Sequence, residues 1–258
     1  MPMQLDMPLW LWLLALLTAL LASTVTTITS IGAGLITYTS IGAGLITYGI
    51  LGFFTDLKTI IPILAPAQLL AVMVRFWLFR KDIQWHLAIA FFSGVIPGVF
   101  VGMWLFHLLT ELAMRRLLGV FLLGFAAYEY LRPSAIQSTA PRLAWLPIGG
   151  VFAGALLGSI GVAGPLVAII FLRYGLVKEA LVAMISLFFL LGNSQRTLLY
   201  WREGLLTADS LGLGMAMGLA MIAGVYVGRL ILPRVSRERF VHLVLMMLIL
   251  FGLNFLMW

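Results

Sequence analysis

The chain has 258 residues, 63% hydrophobic and 10% charged, with a mean hydropathy of +1.12; a soluble globular domain is about half apolar and about a quarter charged, so the composition excludes one. The absence of cysteine excludes disulfides, thiolate metal sites and iron–sulfur clusters. A net charge of +7 would suggest nucleic acid in a soluble protein, but here Lys and Arg fall at the ends of apolar runs, where they set orientation and meet membrane lipid. No nucleic-acid partner is expected.

The start, Met1 to Pro8, carries Asp6 and no Lys or Arg, so it lacks the basic leader of a cleaved signal peptide and the first helix is expected to be retained. An α-helical span needs about 20 apolar residues. Apolar runs divided by short charged loops predict helices over 9–28, 43–54, 59–79, 84–106, 114–131, 144–158, 164–175, 179–200, 208–232 and 239–257. The fold class is therefore an all-α polytopic membrane protein, with kinks expected at Pro62, Pro66, Pro97 and Pro147.

The decapeptide TSIGAGLITY occurs at 29–38 and again at 39–48. The element Ser40-Ile41-Gly42-Ala43-Gly44 has a counterpart at Ser159-Ile160-Gly161-Val162-Ala163-Gly164-Pro165, and each breaks an apolar stretch. Lys58 and Arg75 follow the first element at nearly the spacing of Lys178 and Arg196 after the second, and Gly98-Val99-Phe100-Val101-Gly102 is answered by Gly224-Val225-Tyr226-Val227-Gly228. Four landmarks in the same order predict a duplicated chain: 1–131 as a first membrane repeat, 132–143 as a loop, and 144–258 as a second repeat. The later decapeptide is in register with the second half, so 29–38 reads as a ten-residue insertion.

Orientation follows from the basic residues. If the halves are inverted, one side holds Arg80, Lys81, Arg132, Arg142, Arg173, Lys178, Arg229, Arg234, Arg237 and Arg239, against Lys58, Arg115, Arg116 and Arg202 on the other. Parallel halves would even out and reverse this bias. The positive-inside rule favours inverted repeats of about five helical segments each, with both termini outside. The segments after Gly42 and around Gly161 are too short to cross, and are expected to be broken or re-entrant within the membrane.

A helix that starts inside the membrane presents unpaired N–H groups and the positive end of its dipole, and glycine lets an anion approach them. Gly164-Pro165 suits such a start, with Gly161 and Ser159 just upstream. Thr39, Ser40, Gly42 and Gly44 would form the matching tip, although close packing of helices through small residues explains either motif alone. Arg75 and Arg196 fall late in long apolar helices, where a charge either meets an anion or snorkels to the headgroups. Asn193, Ser194 and Gln195 beside Arg196, and Gln68 before Arg75, could donate to oxyanion oxygens or bond neighbouring helices. His86, His107 and His242 stand near helix ends; the pair His107 and Glu111 is not a metal site, and Glu129 suits the lipid interface. No hydrolase, metalloprotease or nucleotide-binding motif is present, so neither an enzyme, a metal nor a cofactor is expected.

The two Gly-rich elements, each followed by a Lys-bearing loop (Asp56-Leu57-Lys58; Lys178-Glu179-Ala180), an Arg-ended helix and a Gly-x-x-x-Gly helix, resemble the sulfite exporter TauE/SafE family of anion permeases over nearly the whole chain. The resemblance implies a multi-pass permease of the plasma (inner) membrane that moves sulfite, organosulfonates or related sulfur oxyanions. It places the Gly-rich regions close to the substrate path; the expectation from the two tips is that the anion binds between them near the midplane while the halves rock around it. A channel, or a membrane assembly or lipid-binding protein, is the alternative; a homo-oligomer is left open. The glycine is less dense than the family pattern, and the extra decapeptide is foreign to it.

Overall fold

The structure is a computed structural model that describes residues 9–31, 42–131, 142–176, 178–231 and 237–257. Among them are ten α-helices: α1 (Leu9–Ile31), α2 (Gly42–Leu51), α3 (Leu57–Phe79), α4 (Trp85–Leu108), α5 (Glu111–Leu131), α6 (Leu146–Ile160), α7 (Gly164–Arg173), α8 (Lys178–Arg202), α9 (Ala208–Ile231) and α10 (Arg237–Met257). Short 3-10 turns over Arg80–Asp82 and Leu143–Trp145 lead into α4 and α6. Each predicted helix has its counterpart within a few residues, because apolar run length is a strong signal for a helix that must satisfy its own backbone in lipid.

Four helical stretches are long and apolar enough to cross a membrane: Leu57–Asp82, Trp85–Leu108, Leu143–Ile160 and Glu179–Arg202. Their outer faces carry large apolar side chains, such as Trp77, Trp104, Phe152 and Leu198, that remain exposed and suit a lipid surround. By contrast α2 and α7 have 10 residues each, or about 15 Å of rise, half of a hydrocarbon layer.

Glycine sets the closest approaches. Gly94, Gly98 and Gly102 on α4 interlock with Gly150, Gly154 and Gly158 on α6, so that a Cβ added to any of them would strike the backbone of the facing helix. The contacts run from Gly94 against Pro147 to Gly102 against Ser159, which makes the pair parallel. Helices α1 and α9 form a second parallel pair: Leu11 and Ala15 line one cavity with Leu213 and Met217, and further along both helices Gly224 lies on the Leu20 carbonyl while the Ser23 hydroxyl donates to the Met221 carbonyl. Gly214 and Gly218 seat α9 on α3 at Ile63, Pro66 and Leu70. In contrast α5 and α10 are antiparallel, with Gly119 against Gly252 and Leu256, and Gly252 against Leu123.

Pro62, Pro66 and Pro97 lie inside α3 and α4. Pro147 departs from the expected kink: it stands in the first turn of α6, where its missing N–H costs no hydrogen bond, and it starts that helix instead of bending it.

The turn between α2 and α3 is gripped by α5. The Glu111 carboxylate accepts from the Leu57 and Lys58 N–H groups at 2.9 and 3.2 Å, capping a helix whose own Asp56 makes no side-chain cap. Arg115 bonds Glu111 at 2.8 Å and donates to the Gly52 and Thr55 carbonyls at 3.0 and 3.4 Å. Glu111 thus satisfies the amino end of α3 while Arg115 satisfies carbonyls after α2, each with the favourable sign for its helix end. On the same side of the molecule, His107 pairs with Glu203 at 2.8 Å.

Candidate functional site

Helix α6 stops at Gly161, which adopts φ 78° and ψ 7°. This left-handed conformation is natural for glycine and lets its N–H return to the Leu157 carbonyl at 3.0 Å. Three residues later Gly164 and Pro165 open α7. The whole stretch from Ser159 to Pro165 is buried. Ala163 occupies the N-cap position and offers no side-chain cap, and the N–H groups of Val162, Ala163, Gly164 and Leu166 have no backbone acceptor among the described residues. The amino end of α7 is thus an enclosed set of free donors at the positive end of a dipole.

Two side chains from distant parts of the sequence close on this break. A Cβ on Gly161 would collide with the Tyr48 hydroxyl, from α2, and would stand 3.1 Å from Nη2 of Arg196, from α8. Only glycine leaves room for both. Arg196 is 0% exposed. Its Nη1 donates to Asn193 Oδ1 at 3.1 Å and its Nη2 to the Tyr200 hydroxyl at 3.4 Å, which in turn donates to the Gly158 carbonyl at 3.4 Å.

Several polar atoms here have no hydrogen-bond partner among the described residues: Arg196 Nε, Asn193 Nδ2, Thr197 Oγ1, the Tyr48 hydroxyl and Gln68 Oε1. Gln68 and Arg196 both adjoin the Tyr48 hydroxyl without the alignment of a hydrogen bond. No ion pair involving Arg196 exists among the described residues. A buried charge is costly unless it is paired. Here the charge is met only by amide and hydroxyl groups, and the α7 dipole adds more of the same sign. The arrangement can stabilise an anion and would repel a cation.

A model of the family described as sulfite exporter TauE/SafE matches residues 14–255. The chain belongs to the sulfite exporter TauE/SafE family. No curated protein and no solved structure matches it. TauE/SafE proteins are polytopic membrane transporters, not enzymes, which agrees with the apolar helices above.

In this TauE/SafE chain the residues singled out from the sequence divide into two groups. Gly161, Gly164, Ser159, Asn193 and Arg196 come together at the α6–α7 break, although Ser159 turns its hydroxyl back to the Ala155 carbonyl at 2.7 Å. Gly42 and Gly44 form the opening turn of α2, the helix that delivers Tyr48, while Thr39 and Ser40 lie outside the described residues. Gln195 points elsewhere and donates to the Ile96 carbonyl on α4 at 3.0 Å. Arg75 is half-buried on α3. Snorkelling is excluded for Arg196 by its enclosure.

Sequence reasoning passed over Tyr48, Thr197 and Tyr200. Tyr200 and Thr197 had a signal: with Asn193 and Arg196 they recur at helical spacing and share one face of α8. Tyr48 had none beyond ending the repeated decapeptide, since its partner lies in a remote part of the chain.

Proposed function

We propose that this protein is a secondary transporter that exports sulfite, or a related sulfur oxyanion or organosulfonate, across the plasma membrane, with its binding site at the α6–α7 break. The single observation that carries the reading is Arg196: a cation enclosed beside a free helix amino end, with no carboxylate among the described residues to balance it. The anion would supply the missing charge. It would take donors from Arg196 Nε, Asn193 Nδ2 and the first N–H groups of α7, while Tyr48 brings in the tip formed by α2 and, through it, Gly42 and Gly44.

Two inverted, related halves are part of the proposal. Their support is the packing pattern: α4 lies parallel to α6 as α9 does to α1, and α5 and α10, fifth in each set of five helices, are antiparallel. A two-fold axis in the membrane plane relates helices in this way.

Export of an anion from a negative interior is favoured by about 2.3 kcal/mol per charge per 100 mV, so the membrane potential alone can drive it. The test is anion flux in proteoliposomes under an imposed potential. Sulfite or sulfonate efflux should rise with inside-negative potential and collapse in Arg196→Gln. Flux indifferent to both would falsify the reading.

A further inference from the structure

Arg196 is the only charged side chain among the described residues that is fully buried. The groups that surround it, Asn193, Thr197, Tyr48, Tyr200 and Gln68, are amides and hydroxyls, and Arg75 is half-exposed to the surroundings two turns further along α3 from Gln68. The charge available to an enclosed ligand is therefore one guanidinium, with about half a charge more from the amino end of α7.

We infer that the site selects the singly charged form of its anion: hydrogen sulfite or a sulfonate, and not sulfite or sulfate as a dianion. This deepens the transporter reading above and rests on it. A monoanion beside Arg196 makes a neutral pair, whereas a dianion leaves buried negative charge that nothing among these groups offsets. In the Born picture the cost of leaving water grows with the square of the charge, so a dianion must overcome about four times the desolvation of a monoanion. Of the unpartnered oxygens here, Gln68 Oε1 is the one that can only accept, since the Tyr48 and Thr197 hydroxyls can also donate. Gln68 Oε1 is enclosed and without a partner among the described residues, on a side chain that adjoins the Tyr48 hydroxyl, and an anion that still carries a proton can donate to it. Gln68 is thereby assigned as the residue that reads protonation, and Arg196 as the residue that reads charge.

The experiment uses the full chain in proteoliposomes with three probes, after subtraction of protein-free vesicles: methanesulfonate, a monoanion at every pH used; sulfate, a dianion throughout; and sulfite, a dianion that takes up one proton near neutrality to become hydrogen sulfite. Methanesulfonate flux should be independent of pH, sulfite flux should rise as pH falls through that protonation, and sulfate should not be carried. Gln68→Leu should lower hydrogen sulfite flux about five-fold more than methanesulfonate flux, the worth of one neutral hydrogen bond. Sulfate carried as fast as methanesulfonate in a manner that Arg196→Gln abolishes would overturn charge selection while leaving the transporter reading intact. Sulfite flux that is flat or rises with pH would do the same. An equal loss for both monoanions in Gln68→Leu would overturn the role given to Gln68. Absence of flux for all three probes would overturn the transporter reading and this inference together.

Discussion

Arg75 and Arg196 stand late on long apolar helices, one on α3 and one on α8, and the two helices pack against each other. Their surroundings differ. Arg75 keeps partial exposure, whereas Arg196 is sealed beneath Gly161, Tyr48 and Tyr200 and bonds only neutral groups. An intramembrane arginine acquires a ligand-binding character from enclosure, not from its place along a helix. What encloses Arg196 is the broken helix: a turn without a Cβ, followed by a helix start with no cap.

The contrast is broken most directly at Arg196. Arg196→Met should reduce anion flux on the order of 100-fold, the scale for removing one partner of a buried hydrogen-bonded charge pair. The same variant should melt at a higher temperature in detergent than the wild type, because it replaces an uncompensated buried charge with an apolar side chain. A lower melting temperature would mean that the charge is balanced within the protein. Gly161→Ala comes next. It should cost about 1–3 kcal/mol for the left-handed backbone and displace Tyr48, lowering both the melting temperature and the affinity for anion in a ligand-stabilisation assay. Glu111→Ala should remove the cap of α3 and cost about 1 kcal/mol, visible in thermal melting. The smallest effect belongs to Arg75→Gln, which should leave flux within about two-fold of wild type, the scale of an exposed charge. A loss as large as that of Arg196→Met would erase the distinction between the two arginines.

Much of this molecule can be read from its sequence, for identifiable reasons. The ten helices are visible because each apolar run must close its own hydrogen bonds in lipid. The α6–α7 break is visible because Gly161, Gly164 and Pro165 are poor material for a continuous helix. Glycine is harder to interpret. Gly98 and Gly102 serve backbone contact with α6, while Gly161 opens a turn, and the two uses share one letter with no local mark to separate them. The same holds for arginine, because Arg75 and Arg196 both fall late in long apolar runs and differ in tertiary surroundings. Gln195 illustrates the other limit. It adjoins Arg196 in the chain, but one step along a helix turns a side chain by about 100°, and that rotation carries it to the Ile96 carbonyl instead of the break.

The interlocked glycines of α4 and α6 bear on mechanics. With backbone against backbone there is no cushion of side chains to shear, so the two helices travel as a single strut that joins the amino-terminal and carboxy-terminal portions of the chain. Any rearrangement that admits solute to Arg196 must find its slip planes elsewhere, along faces padded by longer side chains. The midpoint of the polypeptide, between α5 and α6, is therefore not the line along which the machine comes apart.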